Sequence, residues 1–154
     1  MLPLGQSLPT KMTFHMRLAL PSHPRFLSVV RAAVGELGVI YGLPNEECVA
    51  VTLAVDEALA NIIRHAYRNL HDQEIEFECL VNEEQMEFTL LDRGEPPDMA
   101  KICAQPLDEL ALSGRGTHLI KAIMDEVLYE KVSTGNQLKL VKRLPGRKGH
   151  AHGE

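Results

Sequence analysis

The sequence predicts an α+β fold: a two-layer sandwich with a mixed, mostly antiparallel sheet and helices on one face. Two observations carry that reading. Stretches with strict alternation of apolar and polar residues come as two hairpins, and at least one pair of long stretches has helical spacing. Mixing the two in one short chain suits helices packed on a single sheet. At 154 residues the chain is expected to be one domain with a real core, and it carries no internal repeat.

The elements follow in order. Residues 1–12 hold Pro3, Gly5 and Pro9 without a period and are expected to be a flexible arm. Thr13 to Leu20 alternates, with Phe14, Met16, Leu18 and Leu20 on one side, and predicts a strand. Ser22 is a candidate N-cap for a helix through about Tyr41, whose apolar face would hold Phe26, Val29, Val30, Ala33, Val34 and Leu37. Gly42-Leu43-Pro44 ends it. A second helix is expected from about Asn45 to Arg68, with Val51, Val55, Leu59 and Ile62 facing the sheet. Glu74 to Val81 predicts a strand with Ile75, Phe77, Cys79 and Val81 inward and glutamates on the wet face. Asn82-Glu83-Glu84 turns the chain into a third strand, through Met86, Phe88 and Leu90, that stops at Asp92. Arg93 to Ser113, with Pro96, Pro97 and Pro106, has little apolar period and is expected to be a long loop acting as a lid. A third helix is expected over about Thr117 to Asp125, then a hairpin of Val127 to Val132 and Gln137 to Leu144 across Ser133 to Asn136. The polar, glycine-rich segment 145–154 is expected to be a disordered tail, and His150 and His152 there are read as tail residues rather than a metal site.

Composition narrows the function classes. A formal charge of -5 argues against broad nucleic-acid or acidic-membrane binding, which wants a basic surface. No apolar run approaches the roughly 20 residues of a membrane helix, and Met1 to Gln6 lacks the basic and apolar regions of a secretion signal. Cys48, Cys79 and Cys103 are odd in number and widely spaced, as reduced thiols in a cytoplasm would be.

Three short segments carry the chemistry. Glu57 and Asn61 lie four apart, one helical turn, and Arg64 and His65 extend the stripe. A carboxamide oxygen suits a magnesium ion bound to phosphates, and a carboxylate one turn away can orient or deprotonate a hydroxyl. Two residues so spaced also fit an ordinary solvated face, but Ala54, Ala58 and Ala60 keep bulk off the stripe as a ligand would require. Asp92 ends a strand and Gly94 follows. An ionised carboxylate there can accept from the amine of adenine, and a glycine lets backbone approach a flat base. Gly114-Arg115-Gly116 opens a helix, where backbone N–H groups bind phosphate and Arg115 adds a charge-assisted contact. Together they describe a site for a nucleotide and its metal ion. The spacing fits neither a Walker P-loop nor a Rossmann fingerprint.

The order of these boxes resembles the GHKL superfamily of ATP-binding domains, which includes gyrase, histidine kinases and MutL. Within it the match is closer to the small stand-alone anti-sigma-factor serine kinases. The stretch from Ala54 to Tyr67 is similar to that branch's N box, and Asp92 to Asp98 to its adenine box. Ser113 to Gly116, with Leu119-Ile120 and Met124 to Val127, is similar to its lid end and phosphate helix. Gly135 to Leu144 is similar to its closing strand. The resemblance covers about residues 13–144 and implies a Bergerat, histidine-kinase-like ATPase fold. It implies ATP and Mg²⁺ as cofactors, Asn61 as the magnesium ligand and Glu57 as the general base. His65, Asp92, Gly94, Gly114, Arg115, Gly116, Thr117 and Asn136 would join Asn61 around the nucleotide. It further implies a serine on a STAS-domain antagonist as substrate and a sigma factor as second partner, with a homodimer allowed for. Thr117-His118 and Glu95-Pro96-Pro97 depart from the family pattern, as does Asn136 where many members have threonine. Two other readings stay open: a binding module that sequesters a partner without phosphorylating it, and a histidine-kinase-like fragment. The latter would need an acceptor histidine from another chain.

Overall fold

The computed structural model of the chain describes residues 12–98 and 115–145. Five strands form one sheet: β1 (Phe14–Pro21), β2 (Glu74–Val81), β3 (Gln85–Asp92), β4 (Glu126–Val132) and β5 (Gly135–Arg143), in the order β1-β2-β3-β5-β4. All four pairings are antiparallel, so the sheet is uniformly antiparallel among the described residues where a mixed, mostly antiparallel one was expected. The helical layer holds α1 (Leu27–Ile40), α2 (Asn45–Asn61) and α3 (Arg115–Ile123), with α2 packed against both of the others.

The core lies between the layers. Ile75, Phe77, Cys79 and Val81 of β2, and Met86, Phe88 and Leu90 of β3, are all at or below 1% exposure. Phe77 and Phe88 stack with their centroids 6.1 Å apart. Val51, Val55, Leu59 and Ile62 of the second helical stretch meet them, as the spacing required. The opposite face of the sheet is wet. There Glu78 pairs with Arg17 at 3.0 Å and with His15 at 3.2 Å, and Glu87 pairs with Lys139 at 3.1 Å.

Several expected boundaries move. Ser22 does not cap a helix: its hydroxyl donates to the Leu70 carbonyl and accepts from Gln73 N–H, pinning the turn before β2. The first helical turn is a short 3₁₀ segment, Pro24–Phe26, with His23 as its cap, and α1 follows. Phe26 and Val29 are 44% and 53% exposed, so the buried face of α1 is Leu27, Val30, Val34 and Leu37. The second helix does not run uniformly to Arg68. It widens after Asn61 into a π-helical turn, Ile62–Ala66, and ends at Arg68 and Asn69 in left-handed backbone. α3 is already helical at Arg115, the first described residue on that side and two residues before the expected Thr117. The last hairpin turns tightly at Ser133-Thr134, which places Asn136 inside β5 rather than in the turn. The arm, most of the lid and the tail lie outside the described residues.

Candidate functional site

Antiparallel register brings the end of β3 beside the start of β5, so Asp92 faces Asn136 across the ladder. Both are buried, at 6% and 8% exposure. Asn136 Nδ2 donates to Asp92 Oδ1 at 3.0 Å and to the Gly94 carbonyl at 2.9 Å. Gly94 N–H donates to the same Asp92 oxygen at 2.9 Å. Burial pushes the Asp92 carboxyl above the ordinary carboxylate range, and these two donors pull it back by favouring the charged form.

The π-helical turn forms the adjoining wall. Its widened ring is closed by Tyr67 N–H to the Ile62 carbonyl at 3.0 Å. The freed Ala66 carbonyl accepts from Glu95 N–H at 2.9 Å. Gly94 lies so close to Ala66 that a Cβ there would overlap the Ala66 backbone carbonyl. Tyr67 locks the junction, its hydroxyl donating to the Glu74 carbonyl and accepting from Arg93 N–H at 2.8 Å. π-Turns within helices recur at functional sites, because they re-aim side chains.

Between these walls lies a cavity of about 460 Å³, within the range of about 300–1,000 Å³ usual for small-molecule sites. The helical side supplies Ala58, Asn61, Ile62, His65 and Ala66, and α3 supplies Thr117. The sheet side supplies Asp92 and Asn136, with Tyr129, Gln137 and Leu138. Glu95, Pro96, Pro97 and Asp98 close the rim. The structure therefore brings together Asn61, His65, Asp92, Thr117 and Asn136 from the sequence-derived set, with Gly94 bonded to the Asp92–Asn136 pair. Glu57 is one turn back along α2, outside this lining. Its Oε1 accepts from Arg64 Nη2 at 2.8 Å, and the same nitrogen donates to Asn61 Oδ1 at 2.7 Å. Arg115 and Gly116 open α3, and Gly114 lies outside the described residues.

The sequence reading missed three contributors. Tyr67 could have been suspected only as an aromatic near a helix end, and its clamp spans β2 and β3. Tyr129 alternates inward on β4, a signal that marks core and cavity alike. The π-turn left no local mark, since no glycine or proline stands in Ile62–Ala66. No group of three or more metal-ligating His, Cys, Asp or Glu side chains occurs among the described residues. Glu57 and Asn61 do aim two oxygens at one positively charged nitrogen, and such hard oxygen donors fit a magnesium ion that keeps most of its waters.

A cavity of small-molecule size between a sheet end and a helix layer, lined by the buried acid Asp92, defines the class of α+β domains with a ligand site where the two layers meet. Residues 20–142 match the family model for the histidine kinase-like ATPase domain, and the chain belongs to that family. Among curated proteins it is similar to the serine-protein kinase RsbW of Oceanobacillus iheyensis, 29% identical over 121 residues, covering 73% of this chain and 77% of that one. It is 24% identical over 142 residues to the serine-protein kinase RsbW of Bacillus subtilis, covering 87% of this chain and 88% of that one. Among solved structures it shares its fold with part of the crystal structure of the RsbU and RsbW domains of Rv1364c from Mycobacterium tuberculosis. That match has a TM-score of 0.60 at 18% identity, over 84% of this chain and 32% of that one. The histidine kinase domain of the Erythrobacter litoralis EL346 blue-light-activated histidine kinase matches with a TM-score of 0.52 at 19% identity, over 81% of this chain and 62% of that one. No helix among the described residues is long and apolar enough to cross a membrane.

Proposed function

We propose that the chain is an ATP-dependent protein serine kinase that phosphorylates a STAS-domain antagonist and, in its other state, holds a sigma factor inactive. The observation that carries this reading is the juxtaposition of the buried Asp92–Asn136 pair with Asn61 in the lining of one cavity, with Glu57 one helical turn back from Asn61 on α2. The relatives' printed names, serine-protein kinase RsbW, support the same activity.

In this reading Asp92 accepts from the adenine amine, while Asn136 and Gly94 hold its carboxylate ionised and oriented. Asn61 Oδ1 would hold a magnesium ion, which would supply charge neutralisation for the phosphates. His65 and Thr117, which line the cavity, would face the phosphates, and the resemblance assigns Gly114, Arg115 and Gly116 the same role. Glu57 takes the proton of the substrate serine as its Oγ bonds to the γ-phosphorus. The bond from that phosphorus to the β–γ bridging oxygen breaks, leaving ADP and phosphoserine. Most of the rate comes from positioning and charge neutralisation, with the base adding about 10²–10⁴-fold.

Labelled ATP, magnesium and the STAS proteins of the same genome provide the test. Wild type should label one of them on serine. Glu57→Gln should keep nucleotide and partner affinity and lose most of the transfer, whereas Asn61→Ala should also lose magnesium-dependent nucleotide binding. A Glu57→Gln protein that transfers at the wild-type rate removes Glu57 as base. A wild type that binds a STAS partner and never labels it leaves a sequestering module.

A further inference from the structure

The notch between Glu57 and Asn61 is already filled by a cation from the chain itself. Arg64 Nη2 has two protons, and it places one on Glu57 Oε1 at 2.8 Å and one on Asn61 Oδ1 at 2.7 Å. The two oxygens come from side chains four apart on α2, while the guanidinium reaches back from the π-turn. Arg64 is nearly half exposed and Glu57 a quarter exposed, while Asn61, the third member of the bridge, lines the cavity. Arg68, at the end of the same helical stretch, pairs with Glu95 at 2.7 Å.

We infer that Arg64 is a positioning residue that stands in for the metal: it latches Glu57 and Asn61 together in the nucleotide-free chain and must release Asn61 when magnesium arrives with the nucleotide. The inference rests on the reading of Asn61 as metal ligand. While latched, the carboxamide oxygen is committed to a guanidinium and the carboxylate is ion-paired, so neither the metal site nor the base is available. Release frees both together, which couples readiness of the base to loading of the metal. A competing internal cation raises the apparent metal dissociation constant by the reciprocal of the fraction of time it leaves the ligand free. The effect should be about two- to fivefold, the range a partly exposed ion pair supports.

Calorimetric titration of ADP into the full chain, at a series of magnesium concentrations and in EDTA, measures this directly. Arg64→Met keeps the stem and removes the charge. It should lower the magnesium concentration for half-maximal enhancement of ADP binding by about two- to fivefold, with metal-free ADP affinity unchanged. Arg64→Lys keeps a charge but cannot hold the same fork, and should fall between. In wild type, the side-chain nitrogen signal of Arg64 should shift on adding ADP with magnesium and stay in place on adding ADP with EDTA. A magnesium midpoint in Arg64→Met that is unchanged or raised overturns the latch, as does a guanidinium signal indifferent to the metal. If wild-type ADP binding ignores magnesium altogether, the assignment of Asn61 as metal ligand falls, and the latch with it.

Discussion

Asp92 shows how one residue's surroundings set what it can bind. Burial favours its neutral form, and two hydrogen bonds to Oδ1 favour the charged one; burial wins, so the pKa is raised. Between the ordinary aspartate value of about 3.9 and that raised value, the folded chain holds more protons than the unfolded chain. This carboxyl's contribution to stability therefore falls as pH rises through that window. Adenine recognition in the proposed reading runs the other way, because there the acceptor is the ionised carboxylate. ADP affinity should strengthen as pH rises through the same window. Asn136→Ala removes a donor that favours the charged form and should move the inflection to higher pH, which calorimetry at several pH values would detect. An inflection unmoved in Asn136→Ala would mean that the pair does not tune the acid. Gly94 is constrained by space rather than charge. A methyl there meets the Ala66 carbonyl, so Gly94→Ala should cost about 1–3 kcal/mol in denaturant unfolding and weaken ADP binding with it. A variant as stable as wild type would show that the junction can open without strain.

At the scale of elements, the site depends on how the second helical stretch ends. Tyr67 ties the π-turn to β2 through the Glu74 carbonyl and to the segment after β3 through Arg93 N–H. Tyr67→Phe leaves the buried junction without that hydroxyl and should cost about 1–3 kcal/mol in urea unfolding, with ADP affinity falling because Gly94 and Asp92 lose their anchor. A loss of stability with unchanged ADP affinity would separate the clamp from the site. The same junction explains what could and could not be read from the residues. Alternation in Glu74 to Leu90 and the Val51, Val55, Leu59, Ile62 stripe are local patterns with one solution, and both strands and stripe lie where they predict. Ser22 has the right chemistry for a cap, yet its hydroxyl is claimed by Leu70 and Gln73, some fifty residues on. The π-turn is likewise imposed from outside, by Glu95 N–H on the Ala66 carbonyl and by the close approach of Gly94. Local spacing cannot encode a bond whose partner arrives from another strand. The Asp92–Asn136 pair was half visible: each residue drew attention alone, but their contact follows from the register of β3 against β5.

For the whole molecule, the cavity is a point where separately folded parts meet. Its walls come from α2 and the π-turn, from the ends of β3 and β5, from β4, and from α3. A ligand seated there is bound only by the folded chain, so its binding free energy adds to global stability rather than to one element. With free ADP and magnesium at a hundred times the dissociation constant, the gain is about 2.7 kcal/mol, or about 5–10 °C in Tm for a domain of this size. Differential scanning calorimetry should show that shift in wild type. Glu57→Gln should keep it, since Glu57 lies outside the cavity lining and its proposed role is on the substrate hydroxyl. Asp92→Asn should lose most of it, because the carboxamide offers a donor where the adenine amine needs an acceptor. Asn61→Ala should keep only the part that survives in EDTA. The pattern across these variants is diagnostic because general destabilisation lowers the ligand-free Tm without changing the ligand-induced increment. An Asp92→Asn protein with the full increment would place the adenine elsewhere.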